Sequence, residues 1–216
     1  MAEFNERRLA NLLLGYEVSI LDGEELLDDL KQLTQYQLLI LVDDSNTGAA
    51  VRETVAIFAD FASCVHAEGL DLYFADRQRA CGLWGSNDQK LKRAFMATAT
   101  GSPSLTEKIE VIAKDTALGI EKPVLLFILI NTEPHGGFEP FVASIDNLIK
   151  GRLSATRFKV VCMATGNCPR LRQQLEEQNC KVVLVDEYER QRDSSDCVLY
   201  TRGDWCVQAM LLALSA

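Results

Sequence analysis

Leu38-Leu39-Ile40-Leu41-Val42-Asp43-Asp44-Ser45-Asn46-Thr47 decides the fold. Five apolar residues in a row read as a strand buried on both faces, and the switch to Asp, Ser, Asn and Thr marks the loop at its carboxyl end. Working outward, strands are expected over 37–42, 70–75, 123–130, 158–164 and 181–185, with 80–84 a short edge strand. Segments of helical period lie between them. In 50–66, Val51, Val55, Phe58, Ala62 and Val65 recur at spacings of three and four, which turns one apolar stripe toward the sheet. Further helices are expected over 89–98, 105–118, 138–153, 169–178 and 204–214, the fourth of these opening on a proline suited to a first helical turn. This alternation predicts an α/β chain: a three-layer, doubly wound, mostly parallel six-stranded sheet of Rossmann-like form. Upstream, 3–14 and 24–33 also read as helices. Residues 1–34 are therefore expected to form an N-terminal helical extension packed on a domain spanning 35–216.

Composition bounds the function. With 22 Lys and Arg against 31 Asp and Glu, the chain carries a formal charge of −9, which repels phosphate backbones and anionic lipid. Nucleic-acid and membrane partners are disfavoured on that ground. No apolar run reaches the roughly 20 residues that a membrane span needs, and the start, Met1-Ala2-Glu3-Phe4-Asn5-Glu6-Arg7-Arg8, lacks the pattern of a signal peptide. A cytoplasmic protein is expected. The seven cysteines (64, 81, 162, 168, 180, 197 and 206) are scattered with no C-x-x-C spacing, so reduced and mostly buried thiols are expected rather than a zinc site or a disulfide framework.

Open parallel sheets bind ligands at the carboxyl ends of their strands. That rule selects the loops 43–48, 131–137 and 165–169, with 98–104 able to reach the same rim. In the first of them Asp43-x-Ser45-x-Thr47 offers a carboxylate and two hydroxyls on alternate residues, an oxygen donor set suited to a hard cation such as Mg²⁺. The plainer reading is a polar helix-capping loop, and the five residues alone favour it. His135 stands beside the rim, where a solvated loop histidine is the commoner outcome. His66, near a helix end, reads as a surface residue or a partner of the helix dipole.

From these residues the chain resembles the von Willebrand factor A (vWA) family. The stretch 38–47 is similar to that family's first strand and the D-x-S-x-S loop of its metal-ion-dependent adhesion site, in the hDDSGS form of intracellular members. Gly69-Leu70-Asp71-Leu72-Tyr73-Phe74 resembles their G-I-D-h-Y-F second strand, and Thr100-Gly101-Ser102-Pro103-Ser104 their G-G-T-P-T loop. Ile128-Leu129-Ile130-Asn131-Thr132-Glu133-Pro134 is similar to I-T-D-G-E-P at the end of the fourth strand, and 158–167 to the fifth strand. The resemblance implies a non-enzymatic protein-binding module whose rim holds Mg²⁺, with Mn²⁺ or Ca²⁺ as substitutes, through Asp43, Ser45, Thr47 and Ser102, with Asn131 behind them. It also implies a partner Asp or Glu completing the coordination, with Asp44, Asn46, Thr132, Glu133 and His135 around it. Asn131 stands where the family carries a carboxylate and Thr132 where it carries glycine. The alternative of a loop kept for shape, with no cofactor, therefore stays open.

A second resemblance competes. Residues 40–47 also look like the start of a response-regulator receiver domain, with Asp76 as phosphoacceptor and Lys122-Pro123 mimicking the closing lysine. The strand that delivers Asp76 comes early for that family, and the long remainder of the chain goes unused. No catalytic motif is written: there is no G-x-S-x-G, G-x-x-x-x-G-K-[ST], H-E-x-x-H or G-x-G-x-x-G after the first strand.

Overall fold

A computed structural model of the chain describes residues 4–19, 23–43, 48–66, 68–77, 79–97, 104–117, 122–134, 136–153, 157–165, 168–177, 182–185 and 201–215. Its strands are β1 (Gln37–Val42), β2 (Leu70–Phe74), β3 (Ala80–Leu83), β4 (Val124–Ile130), β5 (Phe158–Ala164) and β6 (Val183–Val185). Its helices are α1 (Glu6–Gly15), α2 (Gly23–Lys31), α3 (Ala49–Val65), α4 (Gln89–Met96), α5 (Leu105–Ala117), α6 (Phe138–Ile149), α7 (Pro169–Glu177) and α8 (Arg202–Ser215). A short 3-10 turn, Gln32–Gln35, leads from α2 into β1.

The strands form one sheet in the order β3-β2-β1-β4-β5-β6. Every neighbouring pair is parallel except β2 with β3, which is antiparallel. The expected Rossmann-like three-layer α/β fold is what forms, and β1 spans the residues expected of it.

Alternation along the central strands sorts the core into two layers, because successive side chains of a strand point to opposite faces. Leu38, Ile40 and Val42 of β1 and Leu125, Phe127 and Leu129 of β4 join the cluster under α1, α2, α3, α4 and α8. Leu39 and Leu41, with Val124, Leu126, Ile128 and Ile130, join the cluster under α5, α6 and α7. Each fully buried aliphatic side chain contributes roughly 1.5–3 kcal/mol, which explains why β1 and β4 tolerate almost no polar residue.

Helix α3 is more deeply buried than a single apolar stripe implies. Ile57, Asp60, Phe61 and Cys64 are buried along with the face toward the sheet. The cause lies in the N-terminal segment, which covers the helix from outside. The Asn5 amide donates to the Cys64 carbonyl at 3.0 Å, the Tyr16 ring lies 6.0 Å from that of Phe61, and the Tyr16 hydroxyl donates to the Asp60 carboxylate. Burial, with that carboxylate beside it, pushes the Tyr16 phenol far above its ordinary value.

A second node joins the same segment to α8. The Asp204 carboxylate, fully buried, accepts from the Ser19 amide at 2.7 Å, the Thr201 amide at 2.8 Å and the Thr201 hydroxyl at 3.1 Å. Helix α6 stops at Ile149, short of the expected 153. There the Lys150 and Arg152 amides turn back to the Asp146 and Asn147 carbonyls, a glycine-centred helix stop at Gly151.

Cys64, Cys162 and Cys206 are buried, Cys168 is half-buried and Cys81 exposed; Cys180 and Cys197 lie outside the described residues. Among the described residues no helix is long and apolar enough to cross a membrane.

Candidate functional site

The sheet reverses its strand order between β1 and β4: β1 leads through α3 on one face to β2, whereas β4 leads through α6 on the other face to β5. The two connections diverge and leave a crevice at the carboxyl ends of β1 and β4. Backbone hydrogen bonds staple the strand ends around it. The Ala75 amide donates to the Val42 carbonyl at 3.0 Å, the Asp43 amide to the Leu129 carbonyl at 2.9 Å, and the Thr165 amide to the Ile130 carbonyl at 2.8 Å.

Asp43 stands at the centre of this rim and is only 4% exposed. Its Oδ2 accepts from the Thr132 amide at 3.2 Å, the Thr132 hydroxyl at 3.3 Å and the Asn131 amide at 3.4 Å. All three donors come from the end of β4, so the carboxylate bridges the switch point. A buried carboxylate needs such compensation, since desolvating a charge without partners is strongly unfavourable. Helix α3, which follows the loop, has Gly48 at its N-cap and makes no side-chain cap bond there.

Of the residues singled out at the rim, the structure thus brings together Asp43, Asn131 and Thr132. Asn131 is half-buried and Thr132 exposed. Glu133 turns to a different neighbour, lying 3.6 Å from the Arg170 guanidinium at the start of α7. Asp44, Ser45, Asn46, Thr47, Ser102 and His135 lie outside the described residues. Asp76 follows β2 and is half-buried. His66 is not a surface residue: it caps the end of α3 at 5% exposure, and burial pushes its imidazole down to about 4, with the Lys122 cation adding to the effect. A neutral ring gives no charge to the helix dipole.

A polar cleft of about 420 Å³ opens one residue beyond Thr132, lined by Glu133, Gly137, Phe138 and Glu139 on one side and Arg170 and Gln173 on the other. Gly136 and Gly137 make this turn at φ +92° and +89°, a backbone region that side chains rarely adopt. The doubled glycine after an apolar run is the sequence feature that could have marked this cleft. Arg170 could not be assigned to it without knowing where α7 lies.

Among the described residues no group of three or more His, Cys, Asp or Glu is gathered so as to hold a metal. Asp43 and Asn131 are the two members of the expected cation set that fall within the described residues. Asn131 reaches the Asp43 carboxylate through its backbone amide, and a carboxylate beside neutral oxygens is the donor type that hard cations take. Of that set the described residues supply one carboxylate, whose Oδ2 already accepts three hydrogen bonds. A scan against protein-family models and a search of curated proteins found no match to this chain.

Proposed function

We propose that the chain is a non-enzymatic protein-binding module of the vWA type, engaging partners at the carboxyl-end rim of its sheet. The observation that supports this most is the Asp43 carboxylate bonded across the switch point to Asn131 and Thr132. It is a preorganised polar rim in the position where doubly wound sheets hold their ligands. The finer part of the proposal is Mg²⁺ held through Asp43, Ser45, Thr47 and Ser102 with Asn131 behind them, Mn²⁺ or Ca²⁺ serving in its place. When bound, the cation supplies a Lewis-acidic position for a partner's Asp or Glu. The chain's own contribution is to fix Asp43 and to line the approach with Thr132. The protein partner, the cation and a cytoplasmic setting belong together in this reading.

Isothermal titration with Mg²⁺ and Mn²⁺, on wild type and Asp43→Ala, tests it. Heat at millimolar metal that the variant loses supports the cation. No heat with either metal removes the cation and leaves the rim as a metal-independent surface. Co-purification with wild type and Asp43→Ala side by side tests that surface, and partners retained equally by both would overturn the rim reading.

A further inference from the structure

We infer that the outward face of α4 is a docking surface for an acidic polypeptide segment carrying an apolar residue. Helix α4 reads Gln89-Lys90-Leu91-Lys92-Arg93-Ala94-Phe95-Met96, three cations and no acid, within a chain of net charge −9. Leu91 and Phe95 are buried and fix the helix on the sheet. The outward side then holds Lys92 and Arg93, four and three residues before Met96 and therefore beside it on the helix surface. All three are exposed, Met96 at 81%. Among the described residues no carboxylate lies within ion-pair distance of Lys92 or Arg93, although acids outnumber bases in the chain.

The end of the helix lies beside the carboxyl end of β2, the strand next to β1 in the sheet. Phe95 packs edge-on to Phe74, the last residue of β2, with ring centroids 5.3 Å apart. The Arg52 guanidinium, in the first turn of α3, lies 5.8 Å from the Phe95 ring and adds a further exposed cation at the same end. Asp88, the acid next to the helix, is committed to capping it through the Lys90 amide.

Cations with no ion-pair partner among the described residues, set around an exposed, conformationally adaptable thioether, complement a segment that offers carboxylates and one hydrophobic side chain. A nucleic acid matches the cations but leaves the methionine unused. This inference deepens the rim reading by giving the partner's chemistry. It rests on that reading for the partner being a protein, and on α4 for the charge.

Fluorescence anisotropy with a labelled peptide of about a dozen Asp and Glu residues around one central Leu tests it. The peptide should bind wild type, more weakly as salt rises, and the Lys92→Glu/Arg93→Glu variant should weaken it about tenfold or more. Met96→Ser, and a peptide with Ser in place of Leu, should each weaken it by about threefold. These positions are exposed, so the variants should keep the wild-type circular dichroism and melting temperature. No binding of the peptide, binding unchanged by the α4 substitutions, or equal binding by a single-stranded oligonucleotide of matched charge would overturn the inference. Asp43→Ala and metal chelation separate the two surfaces. Binding lost in those arms but kept in the α4 variants sinks the α4 surface and leaves the rim standing. Binding lost only in the α4 variants supports the α4 surface on its own.

Discussion

Thr132 donates twice to Asp43, through its amide at 3.2 Å and its hydroxyl at 3.3 Å, and so ties the end of β4 to the end of β1 at the point where the sheet reverses direction. The same carboxylate that the rim reading assigns to ligand binding is thus also a structural bracket. Its two roles separate by substitution. Thr132→Val keeps the shape and the amide but removes the hydroxyl, and should lower stability by about 1 kcal/mol. Asp43→Ala strips the acceptor from all three donors and should lower it by about 2 kcal/mol. Urea denaturation of both variants measures this, and equal stability of Asp43→Ala and wild type would show the bracket to be unimportant.

Gly203, in the first turn of α8, has no room for a side chain. A Cβ there would lie 2.7 Å from Tyr16 Cβ and 2.8 Å from the Tyr16 carbonyl oxygen. Helix propensity alone favours alanine over glycine by about 1 kcal/mol. Overpacking against a backbone that other bonds hold in place costs about 1–3 kcal/mol. The contact should win, so Gly203→Ala should lower the melting temperature. A rise would mean that the 16–19 segment yields easily.

Much of the scaffold was legible because a parallel sheet buried on both faces leaves a plain signature, the unbroken runs Leu38 to Val42 and Val124 to Ile130. The carboxyl-end rule put the loops of Asp43 and Asn131 on one rim, and the resemblance paired the two residues, while the adjacency of β1 and β4 that brings them together is written in neither strand. What stayed hidden depends on contacts far apart in sequence. Nothing local marks Tyr16 as the partner of Asp60, or Asp204 as the acceptor for Ser19. The depth of α3 was underestimated for that reason: its outer face is apolar only where the N-terminal segment happens to cover it. Glu133 read as part of the Asp43 rim, yet it pairs with Arg170, whose position depends on how α7 packs against α6.

Asp204 provides a direct test of how firmly that N-terminal segment is held. It is fully buried and faces one donor from residue 19 and two from Thr201, the single Thr201 hydroxyl proton being shared between this carboxylate and the Tyr16 carbonyl, each at 3.1 Å. Asp204→Ala leaves buried donors without an acceptor and should destabilise the chain by about 3 kcal/mol. Hydrogen exchange should show the Ser19 amide losing protection at a smaller opening free energy than the strands of the sheet. Uniform loss of protection throughout would mean that the segment and the sheet open as one unit.

His66 makes stability fall with acid in a definite window. Its Nε2 is buried with no hydrogen-bond partner among the described residues, and burial, reinforced by Lys122 and opposed by a hydrogen bond to the Leu33 backbone, lowers its pKa from 6.5 to about 4. The folded chain therefore resists a proton that the unfolded chain accepts. Stability is unaffected by this group above the unfolded value, declines as pH falls from 6.5 toward 4, and stops declining below that, when both states are protonated. A shift of this size corresponds to roughly 3 kcal/mol across the window. Other groups titrate in the same range, so the measurement is the difference between wild type and His66→Gln in urea melts at several pH values. Wild type should lose its advantage, or fall further behind, as pH drops through the window. A difference that stays constant from neutral pH down to the folded pKa would show that the ring is not held neutral at the end of α3.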